Sequence, residues 1–204
     1  MNIKNATFYH ITRPNPYQNI WTVGNTINLT QKQTNYFNAY YDNYYPQISI
    51  DNNLYPILQA IQIIQQNGLY NKPDDAKYII EQMNLTIKEM AIYLRESIFE
   101  EIRSIYFPAL PSRKYCIWVC EKNSIPYWQE NLGGNFPIYE LCLTGVMHRA
   151  NPHYLDIEIL PCEQIRVNAF NYWTGTDNNN SQEEILFEGI IEIKNKYNNY
   201  NEIP

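Results

Sequence analysis

The order of apolar and polar positions divides the chain into a helix-rich first half and a strand-rich second half. Strands are predicted where β-branched and aromatic residues form short runs bounded by polar or turn residues. These runs lie at residues 6–13, 115–120, 137–146, 154–160, 164–171 and 184–194. A further short strand or hairpin is predicted at 21–27, where Gly24-Asn25 suits a turn.

Two helices are predicted before the strand-rich half. Apolar residues recur at helical spacing through 54–67, which predicts a helix with one face in the core. A second helix is predicted to begin at 72–76, where acidic residues suit the first turn, and to pause near 84–86. It then continues to Tyr106, with its charged residues forming a solvated face.

These elements predict a single α+β domain over residues 1–204, because neither an internal repeat nor a Pro/Gly/Ser-rich linker interrupts them. The helices form an insertion at about residues 54–107, within the N-terminal half. Residues 35–45 are dense in Asn and Tyr without a dependable period, so a loop or irregular helix is predicted there. The tail from Asn195 is expected to be frayed.

Charge and composition narrow the cellular setting. The net charge of −6 and pI of about 5.1 argue against a broad electrostatic footprint on nucleic acid. The first residues contain no signal-peptide core, and no run of about eighteen apolar residues could span a membrane. We therefore expect a cytoplasmic protein without a membrane partner. The four cysteines lack the paired spacing of structural zinc, so reduced, buried thiols and no metal are expected.

Common cofactor and catalytic motifs are missing from the sequence. The seven glycines form neither a dinucleotide-binding fingerprint nor a phosphate-binding loop. The histidines, at positions 10, 148 and 153, leave little scope for metal or Ser-His-Asp chemistry. A function must therefore be sought elsewhere in the chain.

Three polar blocks stand beside predicted strands. Tyr9-His10-Ile11-Thr12 lies on the first strand, Pro111-Ser112-Arg113 precedes a middle strand, and Gln182-Glu183-Glu184 opens a late strand. Alternation along a strand places His10 and Thr12 on one face. The pattern indicates strands with candidate catalytic or binding residues at their ends.

This order of His, Ser-Arg and Glu resembles the ADP-ribosyltransferase superfamily. The opening block is similar to that of toxins that ADP-ribosylate thymidine in DNA. Residues 99–103, 107–108 and 111–113 resemble an uncharacterised bacterial branch. The resemblance implies an ADP-ribosyltransferase-like split β-sheet core that binds NAD as a substrate, without a metal or a Gly-rich loop.

The resemblance also implies roles for particular residues. Glu184 would be the catalytic carboxylate, because a fixed negative charge near the ribose stabilises the oxocarbenium-like transition state. Arg113 would assist catalysis and offer a planar fork to the pyrophosphate. The residues implied in NAD binding are Tyr9, His10, Thr12, Ser112 and Arg113.

Other interpretations of these residues stay open. Glu183 competes with Glu184, and the whole block could be surface polar residues at a strand start. Arg113 could pair with Glu100 or Glu101, Ser112 could shape a turn, and His10 could be a core histidine. Four aromatic residues could stack on nicotinamide or a base, or could belong to the core: Tyr115, Trp118, Tyr127 and Trp128.

The implied activity is that of a glycosyltransferase that moves ADP-ribose from NAD to a macromolecular acceptor, either a nucleic acid base or a protein. Similarity to toxins implies a bacterial or phage-related toxin or antiphage effector, with a cognate antitoxin as a further partner. An NAD glycohydrolase would use the same residues, with water as acceptor. A non-catalytic binding module that retains the fold would be favoured by a Glu184 that is buried or turned away from His10.

Overall fold

The computed structural model describes residues 1–13, 21–29, 42, 47–50, 52–67, 73–155, 160–175 and 182–204. The chain divides into two compact units. The first contains Met1–Asn35, Ile98–Asp156 and Pro161–Pro204, and the second contains Tyr36–Ser97 and Ile157–Leu160.

The described residues form seven strands and four α-helices, which confirms the α+β class. The strands are β1 Asn2–Ile11, β2 Thr26–Asn28, β3 Gln47–Ile50, β4 Asn53–Pro56, β5 Ile117–Val119, β6 Ile138–Ala150 and β7 Glu184–Tyr197. The helices are α1 Ile57–Asn67, α2 Pro73–Tyr106, α3 Ile125–Leu132 and α4 Cys162–Thr174. Short 3-10 turns occur at Lys122–Ser124, Pro152–Leu155 and Tyr200–Glu202. No helix among the described residues is long and apolar enough to cross a membrane.

An antiparallel five-stranded sheet organises the first unit. Its main order is β1-β6-β7-β2, and β5 also pairs with β7. A single bridge joins β1 to the end of β5, because Tyr9 and Cys120 exchange two backbone hydrogen bonds of 2.9 and 2.8 Å. Beyond this bridge β1 and β5 are not paired with each other among the described residues, since β1 pairs with β6 and β5 with β7, and a gap separates the two strands.

Alternating apolar residues place one face of this sheet in the core. Ile185, Phe187, Ile191 and Ile193 of β7 are all buried, together with aliphatic residues of β5 and β6. The central pair β6–β7 is closely apposed where two glycines face each other: a Cβ on Gly145 would lie 2.3 Å from the carbonyl oxygen of Glu188. The glycine is therefore required for the approach of the two strands.

In the second unit, β3 and β4 form a two-stranded antiparallel sheet and α1 follows β4 directly. Asn52 takes a positive φ of 64° beside this hairpin, a conformation that asparagine tolerates better than most residues. Ile48 of β3 and Ala60 and Ile64 of α1 are buried. Short apolar stripes on the hairpin and the helix thus supply the core of this unit.

Several predicted elements are corrected by the structure. Residues 164–171 lie in α4, not in a strand, because the buried residues Ile165, Ala169, Tyr172 and Trp173 recur at helical spacing. The helix ends at Gly175, which takes a left-handed φ of 66°. The tail is also ordered beyond Asn195, since β7 extends to Tyr197 and Ile203 is buried.

The helices differ from prediction at three points. Residues 53–56 form β4, so α1 begins only at Ile57. Helix α2 does not pause near 84–86 but runs on through them, and the hydroxyl of Thr86 donates to the carbonyl of Gln82 within the helix. Its charged residues are not all solvated, since Glu96 is buried and pairs with Arg95.

The remaining predictions have mixed outcomes. The turn at Gly24-Asn25 forms, with Gly24 at φ 89°, but β2 pairs with β7 instead of closing a local hairpin. The predicted strand at 154–160 begins in a 3-10 turn at Pro152–Leu155, and residues 156–159 lie outside the described residues. Residues 35–45 also lie outside them, apart from residue 42.

Candidate functional site

Three strands of the first unit meet at the gap beside the Tyr9–Cys120 bridge. β5 lies against the beginning of β7, with Val119 opposite Ile185 and Trp118 opposite Leu186. The bridge brings the end of β1 to the same place. This topology brings together His10, Trp118 and Glu184, which are far apart in the sequence.

The gap contains a cavity of about 290 Å³. Most of its wall is aliphatic or aromatic, and helix α3 contributes two of the side chains. His10 and Glu184 add an imidazole and a carboxylate to this wall. The lining residues are Tyr9, His10, Ile11, Trp118, Val119, Cys120, Trp128, Leu132, Glu184 and Ile185.

The Glu184 carboxylate is held by three donors. Trp118 Nε1 donates to Oε1 at 2.7 Å, and Arg113 Nη1 donates to Oε2 at 2.5 Å. The hydroxyl of Tyr172 donates to the same Oε2 and accepts a hydrogen bond from Arg113 Nη1 at 2.6 Å. Burial raises the pKa of Tyr172 well above its ordinary value, so the phenol keeps the proton that it donates. The carboxylate is therefore fixed in position by three side chains.

His10 reaches the cavity as a neutral ring. Its Nδ1 lies 2.8 Å from the carbonyl oxygen of Trp118, and because a carbonyl only accepts, Nδ1 carries the proton. Burial lowers the pKa of His10 to about 4, so the ring stays neutral at physiological pH and Nε2 is an acceptor. Trp21 stacks on the ring at a centroid distance of 4.4 Å and restricts its rotation.

The residues of the middle block lie behind the cavity wall. Arg113 is only 4 % exposed, and its guanidinium pairs with Glu184 instead of lining the cavity. Ser112 is also buried: its hydroxyl donates to Glu100, and its backbone N–H donates to Glu188. The structure therefore brings Arg113 to the candidate carboxylate and leaves Ser112 in a network next to it.

The first block is divided between the wall and the surface. Tyr9 and His10 line the cavity, whereas the hydroxyl of Thr12 donates to the neighbouring carbonyl of Arg13 and is not among the lining groups. The two candidate carboxylates also separate. Glu184 faces the cavity, while Glu183 pairs with Arg149, which in turn pairs with Glu121.

Tyr172 was not predicted from the sequence, and the alternative ion pair of Arg113 with Glu100 or Glu101 is not formed among the described residues. Tyr172 lies in α4, just beyond the strand predicted at 164–171, and only the helical spacing of its buried neighbours could have revealed its position. Glu100 pairs with Arg103, and Glu101 pairs with Arg166, so neither of them takes Arg113 in the described structure. Trp118 was a stacking candidate, and its N–H contact with Glu184 was not predicted.

The site can offer hydrogen-bond acceptors and a negative charge, within an aromatic wall, to a small ligand. In the described part of the chain, no group of three His, Cys, Asp or Glu residues could hold a metal ion. The fold and cavity thus define an α+β protein with a candidate ligand site at a gap between strands.

Residues 8–199 match the family described as "Protein of unknown function (DUF2441)". Because this match spans more than half of the chain, the protein belongs to that family. No curated protein matches the chain.

Proposed function

We propose that this protein is an NAD-dependent ADP-ribosyltransferase with Glu184 as its catalytic carboxylate. The observation that carries the proposal is the convergence of Glu184 and a neutral His10 on one aromatic-walled cavity. An ADP-ribosyltransferase-like split sheet is part of the proposal, and the separation of β1 from β5 beyond their single bridge supports it.

In the proposed reaction, the bond between C1′ of the ribose and N1 of nicotinamide breaks. The bonding electrons leave with nicotinamide, and positive charge develops on the ribose. The fixed Glu184 carboxylate stabilises that charge, because it is already oriented and needs no reorganisation. A nucleophilic atom of the acceptor then bonds to C1′ and releases its proton to solvent.

The cavity suits one half of the dinucleotide. Its volume of about 290 Å³ is at the lower end of small-molecule pockets, which span about 300–1,000 Å³. The aromatic rings of Trp118 and Trp128 suit a flat heterocycle, and the acceptor Nε2 of His10 suits a hydroxyl or amide donor. We therefore place the nicotinamide-ribose half in the cavity and the diphosphate outside it, away from the buried Arg113.

A non-catalytic binding module is the second candidate, and the burial of Glu184 favours it. The residue is 8 % exposed, and both carboxylate oxygens accept hydrogen bonds from the protein. Such a carboxylate could serve only to neutralise Arg113. Its position on the wall with His10 supports the enzyme instead, and an NAD glycohydrolase would use the same arrangement.

The deciding experiment follows nicotinamide release and label transfer from NAD labelled in the adenosine half. The wild type is incubated with separate pools of cell protein, RNA and DNA, and in buffer alone. Label in one pool identifies the acceptor class, whereas nicotinamide release in buffer without transfer supports the glycohydrolase. NAD binding measured by calorimetry without any nicotinamide release would support the binding module. The absence of both NAD binding and nicotinamide release would refute the proposal.

Glu184→Gln and Glu183→Gln form a matched pair of variants for this assay. Both remove one negative charge from adjacent residues, but only Glu184 lines the cavity. We expect the rate of nicotinamide release to fall about a hundredfold or more in Glu184→Gln. Glu183→Gln should retain wild-type turnover. The reverse result, a slow Glu183→Gln and a fully active Glu184→Gln, would show that Glu184 is not the catalytic carboxylate.

A further inference from the structure

Trp118 connects the two polar groups of the cavity. Its indole N–H donates to Oε1 of Glu184 at 2.7 Å, and its backbone carbonyl accepts the proton of His10 Nδ1 at 2.8 Å. The strand pairing of β5 with β7 fixes this residue opposite Leu186. One residue of a short strand therefore contacts both the candidate carboxylate and the candidate ligand-binding imidazole.

The two oxygens of Glu184 have different surroundings. Oε2 accepts from Arg113 and Tyr172, neither of which lines the cavity. Oε1 accepts from Trp118, which does line it. A carboxylate oxygen has about two lone-pair directions, so Oε1 retains one for a ligand after Trp118 has taken the other.

We propose that Trp118 is a positioning residue that aims Oε1 of Glu184 at the reacting ribose. This inference rests on the proposed function. Arg113 and Tyr172 anchor the carboxylate at Oε2, and the indole N–H sets its rotation by holding Oε1. Without that N–H the carboxylate turns about its anchored oxygen, and misplacement of a reacting group lowers the rate more than it lowers binding.

Trp118→Phe tests the indole N–H with little change to the aromatic wall. The backbone carbonyl that orients His10 is retained, so NAD affinity should stay within about twofold of the wild type. The turnover number kcat should fall about tenfold or more. Trp173→Phe also removes an indole N–H, which donates to the carbonyl of Phe99, and its ring packs edge-on against Tyr172 at 4.9 Å. Because Tyr172 is one of the donors to Glu184, this variant measures the loss of kcat that altered packing alone produces, which should be smaller than the loss in Trp118→Phe.

A double-mutant cycle separates positioning from general damage. If Trp118 acts through Glu184, the Trp118→Phe/Glu184→Gln double variant should be no slower than Glu184→Gln alone. The inference would be overturned if the rate losses of the two single variants multiplied in the double variant. It would also be overturned if Trp118→Phe raised KM without changing kcat. An active wild type combined with a fully active Trp118→Phe would refute this inference and leave the proposed function intact.

The indole N–H resonance gives a readout that does not depend on turnover. Trp118 is assigned in a ¹H–¹⁵N spectrum by the peak that Trp118→Phe removes. We expect this peak to shift in Glu184→Gln and to stay in place in Glu183→Gln. If the wild type releases no nicotinamide, the proposed function fails and positioning for turnover fails with it, while the resonance still decides whether Trp118 holds Glu184. An unshifted peak in Glu184→Gln would overturn the inference at its first step.

Discussion

Glu184→Gln should destabilise the protein as well as slow the proposed reaction. Arg113 is 4 % exposed, and its salt bridge to Glu184 is buried on both sides. The amide of glutamine has one acceptor oxygen and one NH₂ group. Whichever way it is turned, the NH₂ group faces a donor, either the Trp118 indole or the Arg113 guanidinium.

The size of the stability loss in Glu184→Gln follows from the buried salt bridge between Arg113 and Glu184. Removing one partner of a buried salt bridge costs about 3–5 kcal/mol, because the remaining buried charge loses its counter-ion. For a chain of 204 residues, each kcal/mol lowers Tm by roughly 2–4 °C. We therefore expect Tm to fall by roughly 6–20 °C. Glu183→Gln breaks a partly exposed pair in which Arg149 keeps Glu121, so its cost should be about 0–1 kcal/mol.

Calorimetry and urea unfolding of both variants at pH 7 provide the measurement. Recovery is also expected, because replacing both partners by neutral residues removes the buried charge together with its counter-ion. Arg113→Met combined with Glu184→Gln should be more stable than Glu184→Gln alone. If Glu184→Gln is as stable as Glu183→Gln, or if the second substitution adds further loss, the carboxylate is not the counter-ion that stabilises Arg113.

Three further results can be expected. Burial lowers the pKa of His148 to about 4, against about 6.5 when unfolded, so the unfolded chain binds more protons between these values. The part of the free energy of unfolding that depends on a neutral His148, about 3 kcal/mol, is complete above pH 6.5 and is lost as the pH falls towards 4. Denaturant unfolding of the wild type and of His148→Gln at pH 7 and 4.5 should show a smaller loss of stability in the variant. Gly145→Ala should lower the free energy of unfolding by about 2 kcal/mol or more, since its Cβ would meet the backbone of β7. Gly134→Ala is the control and should cost less, because its Cβ would meet only the ring of Phe136 at 3.4 Å. Equal losses of stability in urea unfolding would contradict the close approach of β6 and β7. The exposed Cys162 should react with a thiol reagent in the native protein while the buried Cys116 reacts only on unfolding, which mass spectrometry can follow; early labelling of Cys116 would show that its surroundings open.

The sequence was most informative about features that depend on neighbouring residues, such as where a strand begins. Polar residues at the start of an apolar run predicted that Glu184 would open a strand, and β7 begins at that residue. The apolar runs at 6–13 and 184–194 likewise predicted strands that overlap β1 and β7. Strand periodicity is a local property, so one sequence suffices to predict it.

The partners of Arg113 could not be predicted in the same way. Its salt bridge joins residues 71 positions apart, and nothing local distinguishes Glu184 from Glu100 or Glu101 as the counter-ion. Tyr172 was missed because aromatic and β-branched residues in α4 favour a strand by propensity. Burial of one helical face outweighs that propensity in the folded protein.

The strand order of the first unit constrains how the protein can be made on the ribosome. β6 lies between β1 and β7, and β5 is held by β7 and by the single bridge to Tyr9. Strand β1 must therefore wait for β6, and the sheet stays incomplete until β7, the last of its described strands in sequence order, has emerged from the exit tunnel. Pairings between such distant segments form slowly, because loop closure must precede the contacts that stabilise it. A nascent chain stopped before Glu184 has neither the carboxylate nor the strand that holds Trp118 in register, so premature release would yield a product without the assembled cavity.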